Sequence, residues 1–213
     1  MVEKLTASET DVLVEIANIA SGNASNILSN KIGRIVRLSI PDQRICPLKE
    51  LPRLLEKTVQ ISPQEIAICT FGSLKGDILG NIITVFSRTN AYLLADLLQK
   101  KKVGTTKWLS VEDQKAILSL NNSLLKCYFG AMHDFLNLDL DLGQVKIFST
   151  IGQALLELIY LAKPQGPILL LATKFSPTSP FEGRLMFIFF IPTQGVVSLL
   201  RKANLLIERA EKQ

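Results

Sequence analysis

The pattern of apolar residues between Thr6 and Lys102 recurs between Ser110 and Glu211, and this repetition constrains the fold more than any other feature of the chain. The first half opens with a long amphipathic helix, capped by Thr6 or Ser8, running to about Lys31 and stopped near Gly33. A short alternating strand follows, Arg34 to Ile40, which closes at Pro41 because proline cannot donate to a ladder. A helical segment over 48–57 leads to a hairpin with arms at 65–74 and 77–87, separated by Lys75-Gly76, in which Gly80 marks a bulge or close packing. A helix over 89–102 completes the half. After a connector at 101–109 the order starts again. Ser110 and Asp113 cap a helix to about Leu136, then come a strand at 145–149, a helix at 151–162, strands at 168–175 and 184–191 joined by a Pro- and Ser-rich turn, and a closing helix at 194–211. Each half reads helix, strand, helix, strand, strand, helix. An offset of about 104 residues accounts for this and pairs Asp11 with Lys115, Glu15 with Ser119 and Asn18 with Asn122. The expected fold is α/β of the α+β type. It is a single domain, 1–213, made of repeats at about 6–100 and 110–213, with pseudo-twofold symmetry and a six-stranded, largely antiparallel sheet covered by helices.

The first helix carries two different faces. At about 100° per residue, Leu13, Ile16, Ala17, Ala20, Ala24, Ile27 and Leu28 form one apolar stripe. Asp11, Glu15, Asn18 and Gly22 share an arc of roughly 60° on the opposite side. That arc offers a carboxylate one turn before a carboxamide, then a position without a side chain. Taken singly, Glu15 and Asn18 read as solvated helix residues and Asp11 as a carboxylate favoured by the helix N-terminus. Gly22 costs about 1 kcal/mol in a helix interior, so it points to close approach by a partner or by a neighbouring helix.

Bulk properties narrow the function. With 213 residues, 47% of them hydrophobic, a sizeable core is available. No apolar run approaches the roughly 18 residues of a membrane span, the segment from Leu185 to Ile191 being halted by Pro192, and MVEKLTASETD lacks the hydrophobic stretch of a secretory signal. A soluble, cytoplasmic protein with no membrane insertion is expected. Cys46, Cys69 and Cys127 form no CxxC pair and have only His133 as an imidazole companion, which supports neither a disulfide framework nor a metal site. The net charge is +5, but the only tight basic run, Lys100 to Lys102 with Lys107 nearby, lacks the interleaved aromatics of a nucleic-acid surface, so no nucleic-acid partner is expected. His133 reads as a packing or surface histidine, and Phe187, Phe189 and Phe190 as strand core.

The spacing Asp11-x3-Glu15-x2-Asn18-x22-Pro41 resembles the Ser/Asp-x3-Glu-x2-Asn-x22-Pro signature of the CheC, CheX and FliY phosphatases of chemotaxis. EIANIASGNASNILS, from Glu15 to Ser29, is similar throughout to the active-site helix of CheC, including Gly22, and by length the chain looks most like stand-alone CheC. The resemblance implies a CheC-like fold and hydrolysis of the aspartyl phosphate on a CheY-type response regulator. It implies that Asn18 orients the attacking water and that Glu15 docks to the receiver's lysine, with Asp11 and Gly22 at the partner interface. It implies no cofactor of the chain's own, the magnesium being supplied by the receiver domain. CheD, the receptor deamidase, is a further partner within the family.

The second copy departs from the signature. Asn122 survives, but Ser119 stands in place of the glutamate, Lys115 in place of the Ser/Asp position, Lys126 where Gly22 is and Val145 in place of the proline. A degenerate second site at Asn122 is therefore expected, because a serine forms no ion pair with a lysine and the two lysines repel it. Asn121, in the slot of core residue Ala17, has no explanation at this level. The alternative function is a non-catalytic adaptor that binds the phosphorylated receiver or CheD.

Overall fold

A computed structural model describes residues 6–161, 168–177, 183–191 and 193–210. The turn between the last two strands, Ala162 and Pro192 lie outside the described residues. The first half comprises α1 (Ala7–Ile32), β1 (Val36–Cys46), a short helical segment with α2 (Leu51–Leu54) at its centre, β2 (Ile66–Gly76), β3 (Gly80–Ser87) and α3 (Arg88–Leu98). The second comprises α4 (Val111–Leu136), β4 (Leu140–Leu142), β5 (Lys146–Ile151), α5 (Gly152–Leu161), β6 (Ile168–Pro177), β7 (Gly183–Phe190) and α6 (Thr193–Ala210).

All pairings in the sheet are antiparallel, in the order β1-β6-β7-β3-β2, with β5 and β4 end to end along the far edge of β2. Exchanging the halves turns β1-β6-β7 into β5-β2-β3 and leaves this order unchanged, which is the pseudo-twofold symmetry that the repeat demands. The seventh strand does not break it. β4 and β5 together occupy the place of β1, split in two by 143–145. The helices obey the same offset: α1 and α4 are each 26 residues long, each opens with a capping box (Thr6 with Glu9, Ser110 with Asp113) and each ends on a left-handed residue, Gly33 or Asn137.

One expectation fails. β1 does not close at Pro41 but runs on to Cys46. Its register against β6 shifts between Ser39 and Asp42, so Ile40 and Pro41 stand opposite the single Thr173. A bulge on an edge strand is where a residue without an amide proton does least harm to the ladder. Gly80 answers its two readings in favour of close packing, since a Cβ there would overlap the carbonyl oxygen of Phe190 on β7.

Alternation along the strands sends side chains to two cores. Ile82, Phe86, Phe187 and Phe189 face α1, α3, α4 and α6, and Tyr128 of α4 meets Phe187 edge to face at 5.4 Å between ring centroids. Ile83, Val85, Met186, Ile188 and Phe190 face the opposite side, under the α2 segment and α5. The sheet is thus buried on both faces, with the two long helices packed side by side on one of them.

Candidate functional site

α1 is positioned before it is decorated. Leu13, Ile16, Ala17, Ala20, Ala24 and Leu28 are buried against the sheet and α4, as their spacing predicts, while Ile27 is half-buried. Ser25 and Ser29 pin the helix to β1: the Leu38 amide donates to Ser25 Oγ and the Val36 amide to Ser29 Oγ, both at 2.8 Å. With the inner face fixed in this way, the outer face is fixed too. Asp11, Glu15, Asn18 and Gly22 are all exposed on it.

The polar side chains of α1 that form hydrogen bonds within the molecule are Thr6, Glu9, Thr10, Ser25, Ser29 and Lys31. Among the described residues Glu15 and Asn18 have no such partner, so a carboxylate and a carboxamide one turn apart are free to meet another molecule. A Cβ built at Gly22 touches nothing within 4 Å, so no neighbouring helix explains that glycine. Among the described residues no three His, Cys, Asp or Glu side chains gather as a metal cluster.

Glu9 shows what a committed carboxylate on the same helix looks like. It is only 6% exposed, and its Oε1 accepts from Asn204 Nδ2 of α6 at 3.0 Å. Burial pushes its carboxyl up, but hydrogen bonds from the Thr6 backbone, the Asn204 amide and the Thr6 hydroxyl outweigh this and leave it below its ordinary value. Beyond Glu9, α1 borders a groove of about 530 Å³ whose lining includes Asp11, Val12, Glu15, Phe135, Leu206 and Ile207. Sequence reasoning missed this groove. The available signal was Phe135, an aromatic at the position where the first repeat has Lys31.

The second face is built differently. Lys115, Ser119 and Lys126 are exposed, as expected, but a third lysine joins them: Lys31 Nζ donates to Ser119 Oγ at 3.2 Å. Asn122 is half-buried, and its Oδ1 is enclosed without a partner among the described residues. The two asparagines of the repeat are therefore presented unequally. Asn121 is 1% exposed, and its Oδ1 accepts from Thr84 Oγ1 at 2.6 Å, which ties α4 to β3.

The other candidates take structural places. His133 Nδ1 and Asp139 Oδ1 form a surface pair at 2.8 Å. Among the described residues Cys46, Cys69 and Cys127 form no disulfide, and burial pushes the Cys69 thiol far above the range in which it would ionise. Lys101 belongs to the fold, since its Nζ meets Asp113 Oδ1 at 2.8 Å.

No family model matches the sequence. Among solved structures, the chain is similar to Thermotoga maritima FliY, with a TM-score of 0.72 and 15% identity over 94% of this chain and 98% of that one. It is also similar to a chain of the FliG-FliM complex from H. pylori, with a TM-score of 0.65 and 10% identity over 92% and 100% of the two chains. A chemotaxis protein CheX from Desulfovibrio desulfuricans matches with a TM-score of 0.51 and 11% identity over 84% and 99%. Among the described residues no helix is long and apolar enough to cross a membrane.

Proposed function

Because this chain has the fold of the CheC, CheX and FliY family, and because that fold here carries Glu15 and Asn18 exposed and unengaged on α1, we propose that it hydrolyses the aspartyl phosphate of a CheY-type receiver domain. The pair on the outer face of α1 is the observation that carries this reading. In the reaction a water oxygen attacks phosphorus, the bond from phosphorus to the aspartyl oxygen breaks, and inorganic phosphate and a free carboxylate result. Such a transfer asks a protein mainly for positioning and charge stabilisation. The Asn18 carboxamide oxygen accepts a hydrogen bond from the water and holds it in line with the departing oxygen. Glu15, one turn earlier, pairs with the receiver's active-site lysine and sets the helix over the phosphate. Asp11 extends the carboxylate face, and Gly22 leaves room for the partner's backbone. The magnesium of the phosphorylated site comes with the receiver, held by the receiver's own carboxylates. Asn122 takes no part, because it is half-buried beneath a face of three lysines.

A second reading has a specific observation behind it. One of the similar structures is FliM solved with FliG, so an adaptor that binds without turnover fits the same shape. The test is the lifetime of phosphorylated CheY-type receivers from the same organism. Asn18→Ala is expected to lower kcat about a hundredfold with KM little changed. Glu15→Ala is expected to raise KM at least about tenfold, the loss of one charge partner at an interface. Binding of the phosphorylated receiver without any acceleration by the wild type would replace hydrolysis with the adaptor reading.

A further inference from the structure

The groove beside Glu15 adjoins the candidate site, and its apolar part is not used by the reaction. Its floor is apolar, from Val12 on α1, Phe135 near the end of α4, and Leu206 and Ile207 on α6, and its rim carries the carboxylates of Asp11 and Glu15. Polar ties between the three helices hold it open: Asn204 Nδ2 donates to Glu9 on α1, and Lys202 Nζ donates to the carbonyl of Asn137 just beyond α4. Phe135 keeps 37% of its surface exposed.

The charge around this groove runs against the charge of the molecule. The chain carries a net +5, yet no lysine or arginine lies among the described lining residues. The repeat supplies an internal comparison. On the second face Lys31 takes the place of Phe135, and Lys115 and Ser119 take the places of Asp11 and Glu15. One face is acidic and apolar, and its duplicate is basic.

Resting on the phosphatase reading, we infer that the groove between α1, Phe135 and α6 is the docking surface that selects the receiver. It seats an apolar side chain of the receiver beside the lysine that Glu15 engages. The occupant is a cationic patch with an apolar neighbour, because two carboxylates beside an apolar floor complement that chemistry. Burying the apolar neighbour excludes water from the ion pair and strengthens it.

The test uses the full chain with CheY-type receivers from the same organism, carrying beryllofluoride for binding and phosphorylated with acetyl phosphate for turnover. Phe135→Lys, which copies the second face, and Ile207→Lys are each expected to raise Kd and KM roughly tenfold with kcat unchanged, whereas Phe135→Leu stays within about twofold of the wild type. Thermal unfolding of each variant confirms that it is folded, and if one lysine variant fails this check the other carries the test. Normal Kd and KM in the folded lysine variants, with turnover intact, would overturn the groove while sparing the phosphatase. A receiver bound without turnover, and lost on Phe135→Lys, would overturn the phosphatase while sparing the groove. If the wild type neither binds nor dephosphorylates any receiver, both are overturned.

Discussion

Asn121 and Asn122 are neighbours in sequence with opposite structural meanings. Asn121 accepts a hydrogen bond from the Thr84 hydroxyl in a site with no access to water, so Asn121→Ala strands that hydroxyl. Urea denaturation should show a loss of about 1–3 kcal/mol. Asn122→Ala removes an enclosed oxygen that has no partner among the described residues, so its cost should be smaller, and phosphatase turnover should be unchanged. A fall in turnover in folded Asn122→Ala would mean that the second site works. The exposed arc of Asp11, Glu15, Asn18 and Gly22 was legible in the sequence because helical period is a local property and burial follows it. The role of Asn121 was not, because its partner lies 37 residues away on β3 and no local pattern announces it. Asp96 was hidden for a related reason. It reads as one charge on a surface helix, yet it is 1% exposed and accepts from the backbone and hydroxyl groups of Thr105 and Thr106 and from the Gly104 amide, folding the connector back onto α3.

At the level of elements, the glycines of the two long helices separate packing from recognition. Gly22 on α1 and Gly130 on α4 are both exposed, and a Cβ at either meets nothing within 4 Å. Each alanine variant should therefore stabilise the protein by about 1 kcal/mol, the intrinsic preference of a helix interior for alanine. Only Gly22 lies on the Glu15 and Asn18 face. Gly22→Ala should weaken binding of the beryllofluoride receiver, and Gly130→Ala should leave it unchanged. Equal binding by both variants would leave Gly22 with no role at the interface. The cap of α4 was legible, because Ser110 with Asp113 is a short-range signal, whereas at α1 Thr6 and Ser8 both stood as candidates and the structure selects Thr6, boxed with Glu9. The far end of β1 was not. Proline terminates a strand on average, and what spares this one is a bulge against β6, a strand more than a hundred residues away.

For the whole molecule, the symmetry was legible because duplication leaves a fixed offset in the sequence, and a sheet order that survives exchange of the halves follows from it. The joints between the halves were not: Asp113 is visible as a cap, but nothing local in the sequence names the partner that Glu9, Asp96 or Asp113 holds elsewhere in the molecule. Glu9 holds α6 to α1, Asp113 holds Lys101 of the connector to α4, and Asp96 holds the connector to α3. In all three, burial raises the carboxyl pKa, but the hydrogen bonds each accepts, with the Lys101 charge added at Asp113, outweigh it and leave the group below its ordinary value near 4. A carboxyl whose pKa is lower folded than unfolded contributes stability that is complete above the unfolded value and disappears as pH falls through the folded one. Stability should therefore be flat in these groups near neutral pH and decline below about pH 4, with the unfolded chain taking up protons. In urea titrations at a series of pH values, Asp96→Asn should be less stable than wild type by about 1–3 kcal/mol at pH 7, and the gap should close as wild-type Asp96 itself becomes protonated. A gap that stays constant down to the acid limit would mean that Asp96 acts through its shape alone, and that charge plays no part in clamping the connector to α3.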